Sequence, residues 1–147
     1  MGAVQSTYSN TIAKGYEGEV ADLALSDVLS FNSEVVGGIP FGRAVVVGTA
    51  DKSCKIAQAG AFLGVSVRDI TLPPNRGDVY AQGDSVAVMS KGLIWVKVTE
   101  AVNYGDAPYR ANDGTFNKTA GGTNTAIANG RYESAAGANG LALLRLL

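Results

Sequence analysis

Histidine is absent from the chain. The residue that most often acts as a general base near neutral pH, completes a Ser-His-Asp triad and binds metals through imidazole is therefore missing. Cys54 is the single thiol, and Lys52 and Lys55 beside it favour its thiolate. With no histidine to activate it, a catalytic role is disfavoured, and one cysteine alone cannot supply the donors of a structural zinc site. Asp51, Asp69, Asp78, Asp84, Asp106 and Asp113 stand singly in apparent turns. They form no alternating acidic loop of the calcium type and read as turn residues that bond nearby backbone. Residues 37–44, GGIPFGRA, imitate a phosphate-binding loop, but Arg43 and Ala44 occupy the positions that need lysine and a hydroxyl. Glu17, Glu19, Glu34, Glu100 and Glu133 leave a glycosidase-like carboxylate pair open, without an aromatic cleft signature beside it. The expectation is a protein that is not an enzyme, with no cofactor and no metal.

The elements that would carry any function belong to one domain. At 147 residues the chain has the length of one ordinary domain, able to bury roughly 70% of its unfolded surface. Twelve basic residues against 13 acidic ones leave no positive excess for a phosphate backbone. The charges are dispersed, so no polybasic segment addresses an anionic membrane. No apolar run approaches the roughly 18 residues of a spanning helix, and the N-terminal stretch lacks the apolar core of a signal peptide. These features predict a soluble cytosolic product that binds neither nucleic acid nor membrane. The Met1-Gly2 start with Ser6 matches a myristoylation pattern too short to carry weight.

Nineteen glycines and many alanines cut the chain into short apolar runs, the pattern of many strands. Residues 42–47 (GRAVVV) and 62–67 (FLGVSV) are rich in β-branched side chains and predict two of them. Residues 85–98 (SVAVMSKGLIWVKV) predict a hairpin turning at Lys91-Gly92. Its second half alternates, with Ile94, Val96 and Val98 facing a core and Leu93, Trp95 and Lys97 on the opposite face. The segment 72–78 (LPPNRGD) predicts an exposed loop. Asn112-Asp113-Gly114 predicts a tight turn joining two further strands. Residues 120–130, poor in bulky side chains, read as a long loop or a mobile edge. Residues 141–147 (LALLRLL) read as a closing strand, and 20–29 (VADLALSDVL) as either a short helix or a strand.

Six segments in this order resemble the structural cement, or capsid decoration, proteins of tailed bacteriophages: GEVAD from Gly18, IPFGRAV from Ile39, FLGVSVR from Phe62, YAQGDSVAV from Tyr80, KGLIWV from Lys91 and GLALLRL from Gly140. The resemblance implies a non-enzymatic virion protein on the outer surface of the capsid, present in the host cytoplasm before assembly. Its partners would be the major capsid protein and itself, as a dimer or trimer. The expected fold is all-β: a compact β-barrel or β-sandwich of short antiparallel strands. An extended polar arm over residues 1–18 would precede a single β-rich domain over residues 19–147. Candidate contacts with capsid or sister subunits are Gln5, Tyr8 and Tyr16 of the arm, and Trp95. A rival reading is a small carbohydrate- or ligand-binding β module whose platform would be Tyr80, Trp95, Tyr104 and Tyr109. Another is a different virion part, such as a tail or head-fibre component.

Overall fold

The computed structural model describes residue 2 and residues 14–147. Gln5 and Tyr8 lie outside the described residues. The described residues form an all-β fold. In chain order the strands are β1 (Val20–Ser33), β2 (Ile39–Pro40), β3 (Ala44–Val47), β4 (Ser53–Lys55), β5 (Phe62–Ser66), β6 (Val79–Tyr80), β7 (Ser85–Lys97), β8 (Tyr109–Arg110), β9 (Phe116–Asn117), β10 (Thr125–Ala126), β11 (Gly130–Tyr132) and β12 (Leu141–Leu146). The main sheet has the order β1-β4-β3-β5-β7-β12-β11, and a further pairing of β1 with β7 closes its first five strands into a small barrel. Every pairing in that ring is antiparallel except β1 with β4, which is parallel. Strands β8, β9 and β10 form a separate three-stranded sheet, and β2 pairs with β6. Among the described residues no helix is long and apolar enough to cross a membrane.

Residues 85–98 do not make a hairpin. Ser85–Lys97 is one strand of 13 residues, and its two apolar runs have different neighbours on one flank: Val88 and Met89 pair with β5, and Gly92–Lys97 with β12. β1 follows both runs. A two-residue hairpin of the commonest type needs two consecutive left-handed residues. Gly92 has φ +126° and Lys91 is not left-handed, so the glycine bends the strand without reversing it. β7 thereby serves two cores. Met89, Ile94, Val96 and Val98 join Phe116, Tyr132 and Leu144 in one cluster, and Val86 and Val88 join Ile39, Phe41, Val45, Cys54 and Tyr80 in the other.

Residues 20–29 lie in β1, not in a helix. The closing strand alternates as its sequence requires, with Ala142, Leu144 and Leu146 buried. The turn at Asn112-Asp113-Gly114 joins β8 to β9. Asp113 accepts from the backbone N–H of Thr115 at 3.1 Å, and Asp69 accepts from that of Thr71 at 2.9 Å; both are the local turn bonds expected of aspartate. The 120–130 segment contributes β10 as the third strand of the small sheet, anchored by Ile127, which is buried.

Candidate contact surface

Trp95 is not a free contact residue. It is 8% exposed, covered by the segment that leads into β1. A Cβ on Gly15 would lie 2.6 Å from Trp95 Cδ1, so only glycine fits there. The Gly18 N–H donates to Trp95 O at 2.8 Å, and the Trp95 N–H donates to Glu19 O at 3.0 Å. The turn before β1 is closed from both ends: the Glu19 N–H donates to Tyr16 O at 3.0 Å, and Glu19 Oε2 accepts from the Tyr16 N–H at 2.8 Å. Arg68 N–H donates to Gly18 O at 2.7 Å, tying the same turn to the residues after β5. Residues 15–18, placed with the arm by sequence, are thus fastened to the barrel.

Tyr16 is 66% exposed, and its ring lies 5.0 Å from the Arg68 guanidinium carbon. Arg68 also contacts the Phe41 ring at 5.5 Å and pairs with Asp78 at 3.3 Å. The Arg68 cation thus forms a post between two rings and a carboxylate, beside the turn that leads into β1.

The apolar surface that sequence reasoning missed is β1 itself. Leu23 is 85% and Leu25 90% exposed, while Val28 and Leu29 are about half exposed. The register of β1 on β7 jumps between Asp22 and Asp27, so residues 23–26 bulge outward. Leu25 has φ +51°, a left-handed conformation that costs a non-glycine residue about 1–2 kcal/mol. Leu23 and Leu25 together form an exposed apolar patch on this bulge. The pattern LxL at Leu23 and Leu25 was visible in the sequence, but its exposure was not.

The remaining chemical candidates resolve into structure. Cys54 is fully buried, and burial, with the nearby charge of Glu34, pushes its thiol up to about 11. The expectation that Lys52 and Lys55 would favour its thiolate is overturned, because desolvation of the charged sulfur outweighs two solvated cations. Glu34 is occupied as a loop clasp. It accepts from the Ser53 hydroxyl, the backbone of Ala50 at 2.7 Å and the backbone of Thr49 at 2.8 Å, and these bonds, the Ser53 hydroxyl foremost, hold its carboxyl down to about 2. Glu100 clasps Lys118 and Thr119 in the same way, at 2.7 and 2.8 Å. Glu133 is bridged to Arg131 and Arg145 at 2.7 and 2.8 Å. Among the described residues no cluster of three or more acidic or cysteine side chains is placed to hold a metal ion. The aromatic platform does not assemble either, since Tyr80 is wholly buried and donates its hydroxyl to Val67 O at 2.6 Å.

With the barrel, its tethered N-terminal turn and its exposed β1 in place, comparison with known proteins gives the family. A model of the structural cement proteins, typified by E217 gp24 and Pam3 gp6, matches residues 4–147. The chain belongs to the structural cement protein family. A cement protein is a structural part of a phage virion associated with its capsid, which gives this chain a structural role. Two solved structures share the fold. One is a chain described under "The capsid of Myoviridae Phage XM1", with a TM-score of 0.73 and 21% identity, covering 97% of this chain and 96% of that one. The other is the base of the head fibre gp8.5 from bacteriophage phi29, with a TM-score of 0.53 and 14% identity, covering 84% of this chain and 95% of that one. No curated protein matches.

Proposed function

We propose that this cement protein sits on the outer surface of the capsid, binds the major capsid protein across capsomer boundaries and associates with itself as a dimer or trimer. Before assembly it resides in the host cytoplasm. Membership of the cement family over residues 4–147 carries this reading. The near-balanced charge, 12 basic to 13 acidic residues, argues for a protein partner over nucleic acid or a membrane surface. The polar arm expected over residues 1–18 offers Gln5, Tyr8 and Tyr16 as contacts, its last residues 15–18 being fastened to the barrel. An arm adds contact area on a neighbour without enlarging the core, and tyrosines anchor it with few rotatable bonds. The exposed leucines of the β1 bulge add an apolar contact of the kind that interface cores use.

Co-sedimentation with undecorated heads tests this. Deletion of residues 2–13 leaves Gly15–Gly18 in place, so the truncated chain is expected to keep its melting transition and lose most head binding. Equal binding by both chains removes the arm from the interface, and a collapsed melt places the segment in the body.

The fold shared with the phi29 head-fibre base supports a second reading, in which the chain roots a fibre on the head. Mass spectrometry of intact virions against heads stripped of fibres separates the two.

A further inference from the structure

Most of one flank of β1 has no strand beside it among the described residues. The Asn32 and Glu34 N–H groups donate to Lys52 O at 2.8 Å and Cys54 O at 3.0 Å, on the β4 side, while the Ser33 N–H donates to Asp84 O at 3.0 Å, on the β7 side. Backbone groups alternate in direction along a strand, so even-numbered residues face the β4 flank and odd-numbered ones face β7. The acceptance by Asp27 O of a bond from Ser90 Oγ at 3.4 Å fits this alternation. Val28 and Ser30 therefore direct their N–H and C=O groups to the β4 flank. There β4 reaches only Asn32 and Ser33, and no strand of the described residues covers the rest. An edge that presents unpaired backbone groups beside half-exposed apolar side chains is a template for strand addition.

We propose that this edge pairs antiparallel with the same edge of a second copy, about a two-fold axis at Leu29. The proposal rests on the self-association inferred above and names its surface. The chemistry is self-complementary in the way a two-fold interface demands. Val28 of each copy meets Ser30 of the other, and both residues direct their donors and acceptors outward. Leu29 meets its own copy in a non-hydrogen-bonded pair, where side chains approach most closely. That contact covers the half of Leu29 now exposed, on the face it shares with Phe31. Asp27 of each copy falls opposite Phe31 of the other, whose ring carries Lys52 Nζ at 5.2 Å from its centroid. Neither Asp27 nor Lys52 has an ion-pair partner among the described residues, and the axis supplies two Asp27–Lys52 pairs at once. Both halves of every contact lie on this chain, which favours a second copy over a segment of another protein.

Sedimentation velocity of the full chain at rising concentration tests the edge. The unaltered chain is expected to form a reversible dimer. Ser30→Pro removes an outward donor without touching the β1–β7 ladder, so it is expected to weaken the dimer roughly tenfold or more, since one bond is lost from each copy. Asp27→Lys weakens the dimer as well, and Lys52→Asp added to it restores association. Under mild oxidation Leu29→Cys cross-links into dimers, while Val36→Cys, at a position 83% exposed but off the edge, does not. If Ser30→Pro fails to fold, the charge reversal and the cross-link carry the test. A chain monomeric at every concentration overturns this edge and self-association together, without bearing on head binding. A dimer that survives the charge reversal and does not cross-link at position 29 overturns the edge alone.

Discussion

β1 and β7 are the two longest strands, 14 and 13 residues, and they run antiparallel along each other. Both are apolar sequences, yet β7 buries Val86, Val88, Met89, Ile94, Trp95 and Val96, while β1 leaves Leu23, Leu25, Val28 and Leu29 in solvent. The difference lies in their neighbours. β7 has strands on both flanks and serves both cores, whereas among the described residues β1 has β7 on one flank and only two residues of pairing with β4 on the other. Apolar content fixes what can be buried, and position in the sheet decides what is. The exposed strand is therefore the one on which the contacts proposed above would form.

Core truncations break the comparison most sharply. Ile94→Ala removes a fully buried β7 side chain and is expected to cost about 2–5 kcal/mol in urea unfolding. Leu23→Ala on β1 should stay within about 0.5 kcal/mol, as exposed positions do. Equal losses at the two sites would mean that β1 is packed in solution.

Acid acts next, at the end of β1. Glu34 has its carboxyl lowered from 4.5 to about 2 by bonds from Ser53, Ala50 and Thr49. A group with a depressed folded pKa contributes stability that is complete above its unfolded pKa and lost as pH falls toward the folded one. The clasp therefore stabilises fully above about pH 4.5 and fades toward pH 2. Glu34→Gln should lower the melting temperature at neutral pH and flatten its dependence on pH across that window. An unchanged acid profile would show that the clasp does not hold the 49–53 loop.

Leu25→Gly is expected to do the reverse of a core truncation. With φ +51° at that position, relieving the left-handed leucine should raise stability by about 1 kcal/mol, while head binding falls. A gain in stability with no loss of binding would leave the bulge without a partner.

Local signals in the sequence carried β3, β5, β12 and the β8–β9 turn, because β-branched runs, alternation and an aspartate-glycine pair act over a few residues. The hairpin at Lys91-Gly92 failed because its halves find β5 and β12, strands brought in from residues 62–66 and 141–146. Local glycine chemistry cannot distinguish a bend from a reversal. The thiol of Cys54 moved in the opposite direction to that expected from its lysine neighbours, since burial by the second core is a property of the fold. Tyr16 was singled out in the sequence as a candidate contact, but its stacking on Arg68, 52 positions later in the chain, was not legible.

The smallest expected effect concerns that anchor. Tyr16→Ala removes an exposed ring from the Arg68 guanidinium, a contact worth about 0.5–1 kcal/mol at such sites, so the melt should shift only slightly. Gly18 and Glu19 still fasten the turn through backbone bonds to Arg68 and Trp95. If the post only decorates the barrel, head binding will follow the small stability change. If it sets the direction in which residues 2–13 leave, binding should fall well beyond that change, and Tyr16→Phe, which keeps the ring over the cation, should restore it. A Tyr16→Phe chain as weak as Tyr16→Ala would assign the loss to the hydroxyl and hence to a direct contact with the capsid, which separates an anchor that steers the arm from one that binds.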